Sequence, residues 1–470
     1  MAEPYDYDLV CIGSGPAGQR AAVQAAKLGK RTAVVEKSRI VGGVSVDTGT
    51  IPSKTFREAV IYFSSLHGRF DRNRFDGAAA QLSAQALLQR VQAVIGREVE
   101  VVEDQLARNG VETIRGRASF VDPHTLQIDD GGAGRRVSAA YILIAVGTRP
   151  ARPAAIPFDD RLVVTSDAVV DLQRLPRRLL VVGGGVIGIE YAPMFAALGA
   201  DVTLVDRSQR PLRLLDREIV DELITQMQAA GITFRLGDGV DSIERLDGDP
   251  PRARVRLTSG GELEADLVLF TVGRVGNTGG LALEAAGLQA DDKGRIEVGP
   301  DFRSAVEHIL AAGDVIGYPM LAATSSEQGR LAACQAFGVY SCAMPQHFPI
   351  GIYAIPEIST VGRHEQQLRD EGVAFVKGLA RYREIARGQI LGDDSGLFKM
   401  LFDRRDRRLL GVHIIGTGAT ELIHIGQAVM GLGGGLDYFL SSVFNYPTLA
   451  ECYKVAALDA ANKLAGRKAE

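Results

Sequence analysis

The sequence contains the same strand–turn–helix–strand unit twice, and this repeat limits the possible folds more than any other feature. Each unit has an apolar strand-like run, a Gly-x-Gly-x-x-Gly turn, an apolar helical segment and a second run that ends in a carboxylate. The carboxylate follows the first glycine by 23 residues in both, from Gly13 to Glu36 and from Gly183 to Asp206. A crossover helix of this kind joins parallel strands, so the repeat predicts an α/β protein.

The glycine turns predict that each unit binds a dinucleotide. The first glycine adopts a conformation that a Cβ forbids, the second lets backbone approach a pyrophosphate, and the third lets the helix pack on the strand. The helix N-terminus offers N–H groups to the phosphates, and the carboxylate can accept the ribose hydroxyls. One such turn can serve packing alone, whereas two in full strand context predict two sites. Their glycines are Gly13, Gly15 and Gly18, and Gly183, Gly185 and Gly188.

The residues after the second carboxylate give a mixed indication of the coenzyme. Asp206 alone favours NAD, because a carboxylate accepts a 2′-hydroxyl and repels a 2′-phosphate. Arg207 and Arg210 follow it, and guanidinium groups favour the 2′-phosphate of NADP. The combination is compatible with both coenzymes. A solvated basic loop after the strand is the alternative interpretation of the arginines.

Composition and charge restrict the class of protein. The 53 Lys and Arg residues nearly balance 57 Asp and Glu, and the net charge of −4 argues against a nucleic-acid partner. No apolar run approaches the ~18 residues of a membrane span, and the acidic opening segment is not typical of a signal peptide. We therefore expect a cytoplasmic protein. No histidine spacing suits a metal, and no Cys-x-x-Cys pair occurs among Cys11, Cys334, Cys342 and Cys452, so we expect no metal and cysteines that fill the core.

Over nearly all of its length the chain resembles the flavoprotein pyridine nucleotide–disulfide oxidoreductases, such as dihydrolipoamide dehydrogenase and glutathione reductase. The resemblance implies an α/β fold with two Rossmann-like dinucleotide-binding domains, for FAD and NAD(P), and a C-terminal α+β dimerisation domain. It divides the FAD-binding domain between residues 1–150 and 273–345. Residues 151–272 become the NAD(P)-binding domain, and residues 346–470 the interface of a homodimer or higher oligomer.

The resemblance also assigns site residues. Asp314, after a strand, resembles the family aspartate that binds the ribitol chain of FAD, and a plain turn is the alternative. Ile51-Pro52-Ser53-Lys54 resembles the segment whose lysine lies beside the isoalloxazine ring, and an ordinary surface lysine is the alternative. In the family this lysine commonly pairs with a glutamate at the position of Glu190. Gly147 and Gly273 end the last apolar strands of the FAD and NAD(P) units.

The chain departs from the family at the residues that carry disulfide chemistry. Ser45 and Thr50 occupy the two redox-cysteine positions, and hydroxyl groups cannot undergo thiol–disulfide exchange. Tyr446 replaces the histidine of the C-terminal His-Pro-Thr-x-x-Glu motif that ends here in Glu451. A phenol with a pKa of about 10 is a poor proton shuttle. Supplied by the partner subunit, as in the family, these two residues either line the vacated flavin face or are structural remnants.

Loss of the disulfide with retention of both nucleotide sites predicts FAD-dependent hydride transfer between NADPH and NAD⁺, in a ping-pong reaction through reduced flavin. Gly-Thr-Ile-Pro-Ser-Lys and Asn-Tyr-Pro-Thr resemble the soluble, Si-specific NAD(P)⁺ transhydrogenase branch of the family. Lys54 would stabilise negative charge on the flavin, held in place by Glu190. Two alternatives stay open. One is an NAD(P)H dehydrogenase that reduces a quinone, a dye or oxygen, and the other is a non-catalytic flavin-binding sensor.

Overall fold

The computed structural model describes residues 5–68, 84–248, 250–340 and 343–466. Its strands are β1 (Tyr7–Ile12), β2 (Thr32–Glu36), β3 (Glu112–Arg115), β4 (Arg117–Asp122), β5 (Thr125–Asp129), β6 (Arg135–Ile144), β7 (Thr148–Pro150), β8 (Val163–Thr165), β9 (Arg178–Val182), β10 (Asp201–Asp206), β11 (Thr233–Leu236), β12 (Val240–Leu246), β13 (Arg252–Leu257), β14 (Glu262–Ala265), β15 (Leu267–Phe270), β16 (Arg274–Gly276), β17 (Ile309–Ala311), β18 (Ile350–Ile352), β19 (Ile358–Gly362), β20 (Phe375–Arg381), β21 (Leu397–Asp403) and β22 (Leu409–Ile415). Its helices are α1 (Pro16–Lys27), α2 (Val44–Asp47), α3 (Thr50–Gly68), α4 (Ala84–Arg108), α5 (Val186–Ala197), α6 (Arg217–Ala229), α7 (Ala322–Ala336), α8 (Glu365–Asp370), α9 (Ala386–Leu391), α10 (Ala419–Gly431), α11 (Leu436–Ser441) and α12 (Glu451–Leu464).

The chain divides into two compact units, each made of segments that are distant in sequence. The first unit joins Met1–Leu175 to Val272–Met344, and the second joins Pro176–Thr271 to Pro345–Glu470. The assignment of the four sequence segments to FAD-binding, NAD(P)-binding and interface domains stays a prediction. Within the described ranges, no helix has the length and apolar character needed to cross a bilayer.

A mainly parallel sheet forms the centre of the first unit, with the order β3-β2-β1-β6 and β17 on the other edge of β6. Helix α1 connects β1 to β2 and packs on α7. The two helices approach closely, because a Cβ on Gly329 would lie only 2.0 Å from the Ala17 carbonyl oxygen. Strands β5 and β4 continue the sheet in antiparallel fashion from the other end of β6. The first βαβ unit is thus present as the sequence predicted.

The second unit contains one mainly parallel sheet and two antiparallel sheets among its described residues. Strands β11, β10, β9 and β15 are parallel neighbours in that order, and α5 crosses from β9 to β10. Strands β12, β13 and β14 form a separate antiparallel meander. In the C-terminal part, the antiparallel order β18-β19-β22-β21-β20 carries α12 on one face, where a Cβ on Gly378 would lie 1.9 Å from the Ala456 carbonyl oxygen. The α/β fold class is confirmed.

One helix begins earlier than its sequence pattern suggests. The apolar periodicity predicts a helix over Phe56–Leu66, whereas α3 starts at Thr50. Pro52 lies in the first turn, where a helix tolerates proline because the N–H groups there have no partner within the helix. The earlier start places Lys54 on a helix rather than in a connecting loop.

Candidate dinucleotide and active site

The first glycine turn leaves no room for side chains at two of its three glycines. Gly13 follows β1 with φ +109°, and a Cβ there would lie 2.4 Å from the Ala145 carbonyl oxygen. A Cβ on Gly18 would lie 1.9 Å from the Gly13 carbonyl oxygen. Gly15 precedes α1, and no side chain caps that helix. The first-turn N–H groups of α1 therefore face the turn as donors for an anion.

Glu36, the last residue of β2, is fixed against this turn. Its side chain is buried, and Oε2 accepts hydrogen bonds from the Ser14 backbone N–H (3.0 Å) and hydroxyl (2.5 Å). Oε1 accepts from the Ser38 backbone N–H at 2.8 Å. The Ser14 hydroxyl also accepts from the Gly42 N–H at 2.9 Å. Ser14 occupies a variable position of the glycine motif. Its hydroxyl links the Glu36 carboxylate, which is predicted to bind a ribose, to the backbone at Gly42.

The second glycine turn repeats this construction in the second unit. Gly183 has φ +111°, and a Cβ on Gly188 would lie 2.0 Å from the Gly183 carbonyl oxygen. Gly185 precedes α5 without a side-chain cap. Asp206 ends β10, with Oδ2 accepting from the Gly184 N–H and Oδ1 accepting from the Ser208 N–H at 2.6 Å.

Asp314 is partly buried in the first unit, directly after Gly313. Its carboxylate accepts two long hydrogen bonds, from the Ser325 hydroxyl at 3.3 Å and from the Thr148 hydroxyl at 3.4 Å. Burial raises the pKa of the Asp314 carboxyl, although Arg274 acts in the opposite direction. Arg274 also donates to Thr148 through Nε (2.8 Å, to the hydroxyl) and a terminal nitrogen (2.9 Å, to the carbonyl). Weak existing bonds leave this carboxylate able to accept from a ligand hydroxyl.

Arg274 and Thr148 were not among the residues chosen from the sequence. Arg274 directly follows Gly273, and Thr148 directly follows Gly147. Both glycines were predicted site residues, and both have positive φ. Strands β16 and β7 then pair, so the two glycine ends lie side by side. An arginine directly after the strand-ending glycine is the signal that sequence reasoning passed over.

Lys54 and Glu190 belong to different units. Lys54 is partly buried on α3, and its Nζ donates to the Ser53 hydroxyl at 3.2 Å. Glu190 is buried on α5, and its Oε1 accepts from the Tyr353 backbone N–H at 2.9 Å. The pairing of the lysine with the glutamate stays a prediction.

The sequence matches two protein-family models, and the first of them spans both glycine turns. Residues 7–329 match the model described as pyridine nucleotide-disulphide oxidoreductase, and residues 348–457 match the dimerisation domain of the same group. The chain belongs to the pyridine nucleotide-disulphide oxidoreductase family. Together the two matches span both units of the structure.

Curated relatives from this family match along the whole chain. A soluble pyridine nucleotide transhydrogenase of Mycobacterium tuberculosis is 49% identical over 461 residues, which cover 98% of each protein. Proteins of the same name from Colwellia psychrerythraea and Klebsiella pneumoniae are each 41% identical and cover 99% of this chain and 100% of the relative.

Solved structures of the family have the same fold. The HOCl-induced flavoprotein disulfide reductase RclA from Escherichia coli superposes with a TM-score of 0.86 at 26% identity. LpdA from Mycobacterium tuberculosis gives 0.87, also at 26% identity. Both alignments cover 96% of this chain and 99% of the other.

The segment that resembles the redox-disulfide region of this family packs on the first nucleotide turn. A Cβ on Gly43 would lie 2.8 Å from the Gly15 Cα, so the two backbones are in direct contact. Ser45 follows on α2, and its hydroxyl donates to the Gly42 carbonyl at 2.8 Å. Thr50 is exposed at the start of α3. The segment that contains Ser45 therefore packs on the nucleotide turn through Gly43.

Cysteines elsewhere do not replace the missing pair in the part of the chain that the structure describes. Cys11, Cys334 and Cys452 are buried free thiols, and Cys342 lies outside the described residues. Burial raises the pKa of Cys11 and raises that of Cys452 to about 12. The thiols of Cys11 and Cys452 are therefore protonated and unreactive at neutral pH. The same described ranges contain no group of three or more His, Cys, Asp or Glu side chains arranged to hold a metal ion.

Tyr446 and Glu451 both lie in the C-terminal part, where Tyr446 is exposed and Glu451 is partly buried. Tyr446 is 68% exposed between α11 and α12. Glu451 is the first residue of α12, and its Oε2 is buried with no hydrogen-bond partner among the described residues. Large apolar side chains are exposed in the same part of the chain, including Leu432, Tyr438 and Val443. An unpaired carboxylate oxygen and several exposed apolar side chains, in a part of the chain that matches a dimerisation domain, are features expected where a second chain binds.

Proposed function

We propose that this chain is a soluble pyridine nucleotide transhydrogenase, which binds FAD and transfers hydride between NADPH and NAD⁺. The observation that carries the proposal is the combination of two complete nucleotide turns with hydroxyl residues at the expected redox-cysteine positions. Full-length identity of 41–49% to relatives of that name supports the same activity. Hydride leaves NADPH and arrives on NAD⁺, so the products are NADP⁺ and NADH and no net proton is released.

The first unit has the features that FAD requires. The turn from Gly13 to Gly18 provides backbone donors where side chains would block a pyrophosphate, and Glu36 can accept a ribose hydroxyl. Asp314, with its two long hydrogen bonds, can accept from the ribitol chain. When bound, FAD supplies the two-electron chemistry, because it accepts a hydride and gives it up again.

Replacing Gly18 with alanine is expected to lower FAD affinity by roughly ten- to hundredfold, because overpacking costs about 1–3 kcal/mol. The added methyl group would meet the Gly13 carbonyl oxygen at 1.9 Å and displace the turn. FAD content after dialysis measures the effect. Gly96→Ala is the matched control, since Gly96 lies in helix α4 with open space around its Cβ position. Full FAD retention in Gly18→Ala would contradict the proposal that the turn from Gly13 to Gly18 binds the FAD pyrophosphate.

The second unit binds the nicotinamide coenzymes through Gly183, Gly185 and Gly188, with Asp206 at the adenosine ribose. Gly273, which follows the adjoining strand β15, is the remaining glycine assigned to these coenzymes. NADPH and NAD⁺ use this pocket in turn. Lys54 and Glu190 act as a pair, in which the lysine stabilises negative charge beside the isoalloxazine ring and the glutamate positions the lysine. Hydride transfer needs no further acid or base from the chain.

Electrons do not pass to a disulfide in this proposal. The Ser45 hydroxyl is bonded to a backbone carbonyl, and neither it nor Thr50 can form a thiolate. We further propose a homodimer through the C-terminal part, in which the partner subunit covers the exposed apolar side chains. Tyr446 and Glu451 would then face the site of the other protomer.

Initial velocities test the shared pocket. If NADPH leaves before NAD⁺ enters, double-reciprocal plots against one coenzyme at several concentrations of the other are parallel. Lines that intersect to the left of the axis would show that both coenzymes are bound together, and would contradict alternate use of one pocket. The measurement requires only the purified yellow protein.

A further inference from the structure

The loop after β10 packs directly on the second glycine turn. Gly184 donates its N–H to Asp206, and its carbonyl accepts from the Leu212 N–H at 3.2 Å. The Pro211 Cβ lies 3.0 Å from the position that a Cβ on Gly184 would occupy. The residues between Asp206 and Leu212 therefore lie beside the ribose end of the proposed coenzyme site.

Arg207 and Arg210, which lie in this loop, have different surroundings. Arg207 extends across Gly239, with its Nε 2.9 Å from the position of a Cβ there, and no described residue accepts a hydrogen bond from it. Arg210 instead forms an ion pair with Asp221 on α6 and donates weakly to the Arg217 carbonyl at 3.4 Å. One guanidinium is thus uncommitted, whereas the other is already engaged by a carboxylate.

We propose that Asp221 determines coenzyme selectivity by competing with the adenosine 2′-phosphate for Arg210. The inference rests on the proposed function, because it assigns a role within that coenzyme site. With NAD(H) bound, Arg210 stays paired with Asp221. With NADP(H) bound, the 2′-phosphate draws Arg210 away from Asp221. Arg207 also binds the 2′-phosphate, and it does so without having to break an ion pair.

The exposure of the pair makes this exchange feasible. The side chains of Arg210 and Asp221 are 39% and 57% exposed, and ion pairs in such positions contribute little stability. A phosphate dianion with three acceptor oxygens attracts a guanidinium more strongly than a single carboxylate does. Asp221 therefore weakens NADP(H) binding without preventing it, which is the property that a pocket needs if it must release both coenzymes in turn.

Asp221→Asn removes the competing charge and nearly preserves the side-chain shape. We expect the Kd of adenosine 2′,5′-bisphosphate to fall by about fivefold. The Kd of 5′-AMP is expected to stay within about 1.5-fold, because that ligand has no 2′-phosphate. Calorimetry on the FAD-loaded protein measures both ligands, and neither ligand can undergo hydride transfer.

Glu222→Gln is the matched control, because it removes the same charge from the next residue of α6. Glu222 contacts Gln226 and Arg381 rather than Arg210. Tighter bisphosphate binding in Asp221→Asn alone supports the proposal, whereas equal effects in the two variants, or no effect in Asp221→Asn, would overturn it. Failure of the wild type to bind either adenosine ligand would overturn the inference and the proposed coenzyme site together. Normal binding without hydride transfer would count against the proposed function alone.

Discussion

Lys54→Ala is expected to slow flavin reduction by NADPH by roughly a hundredfold while FAD stays bound, the magnitude typical of losing one preorganised charge-stabilising group. In the proposed arrangement the lysine is the positive charge nearest the isoalloxazine ring. FAD binding should persist, because the glycine turn, Glu36 and Asp314 are unchanged. Stopped-flow absorbance after mixing with NADPH measures the rate, and FAD content measures retention.

Lys27→Ala is the appropriate control for this variant. Lys27 is an exposed lysine at the end of α1, in the same unit as Lys54, so it matches the loss of charge without changing the active-site segment. An unchanged reduction rate in Lys54→Ala would remove the electrostatic role. Loss of FAD from Lys54→Ala would instead assign the lysine to cofactor binding.

Lys399→Met is expected to destabilise the second unit by about 3–5 kcal/mol, the usual consequence of removing one partner from a buried ion pair. Lys399 is fully buried in β21. Its Nζ donates to Asp216 and Glu218 at 2.9 Å and to Glu365 at 2.7 Å. Methionine fills a similar volume but leaves these carboxylates without their central cation. The shift in the urea unfolding midpoint measures the loss.

The half-exposed neighbour Lys377 provides the control. It pairs with Glu218 and Glu365 at 3.1 and 3.5 Å, and its side chain is 37% exposed. Lys377→Met should therefore change the free energy of unfolding by less than about 1 kcal/mol. Equal losses in the two variants would show that burial of Lys399 has no special importance.

The stability conferred by this network should depend on pH in a defined direction. Burial would raise the pKa of Glu365, but hydrogen bonds from Lys399 and Arg369 lower it to about 2, below the ordinary 4.5. The contribution of Glu365 is therefore complete above pH 4.5 and is lost as the pH falls towards 2. In Lys399→Met, the buried Asp216 carboxylate loses its ion pair with the lysine, so we expect burial to raise its pKa. The deficit of that variant relative to wild type should shrink as the pH falls from 7 to 5.

Local patterns predicted much of the nucleotide-binding architecture. An apolar run, a glycine turn and a carboxylate at fixed spacing determine where a strand ends and which residue reaches the turn, so Glu36 and Asp206 could be placed from sequence alone. The helix start at Thr50 could not, because Pro52 resembles a helix breaker unless its position in the first turn is known.

Local sequence patterns could not predict the contacts between side chains of different segments. In Leu397–Asp403, Lys399 is a charged residue within an otherwise apolar run, and it is buried because carboxylates more than 30 residues away pair with it. The pair between Arg210 and Asp221 likewise depends on how α6 packs beside the loop after β10. Neither contact has a local signal, since each partner is an ordinary polar residue in its own segment.

Hydride exchange between coenzymes is tested most directly by an anaerobic assay of the yellow protein with NADPH and thio-NAD⁺, run beside the same assay with a quinone. We expect rapid formation of reduced thio-NAD and slow reduction of the quinone. Flavin that is reduced by NADPH but passes electrons only to the quinone would contradict transhydrogenation, and so would flavin that NADPH does not reduce.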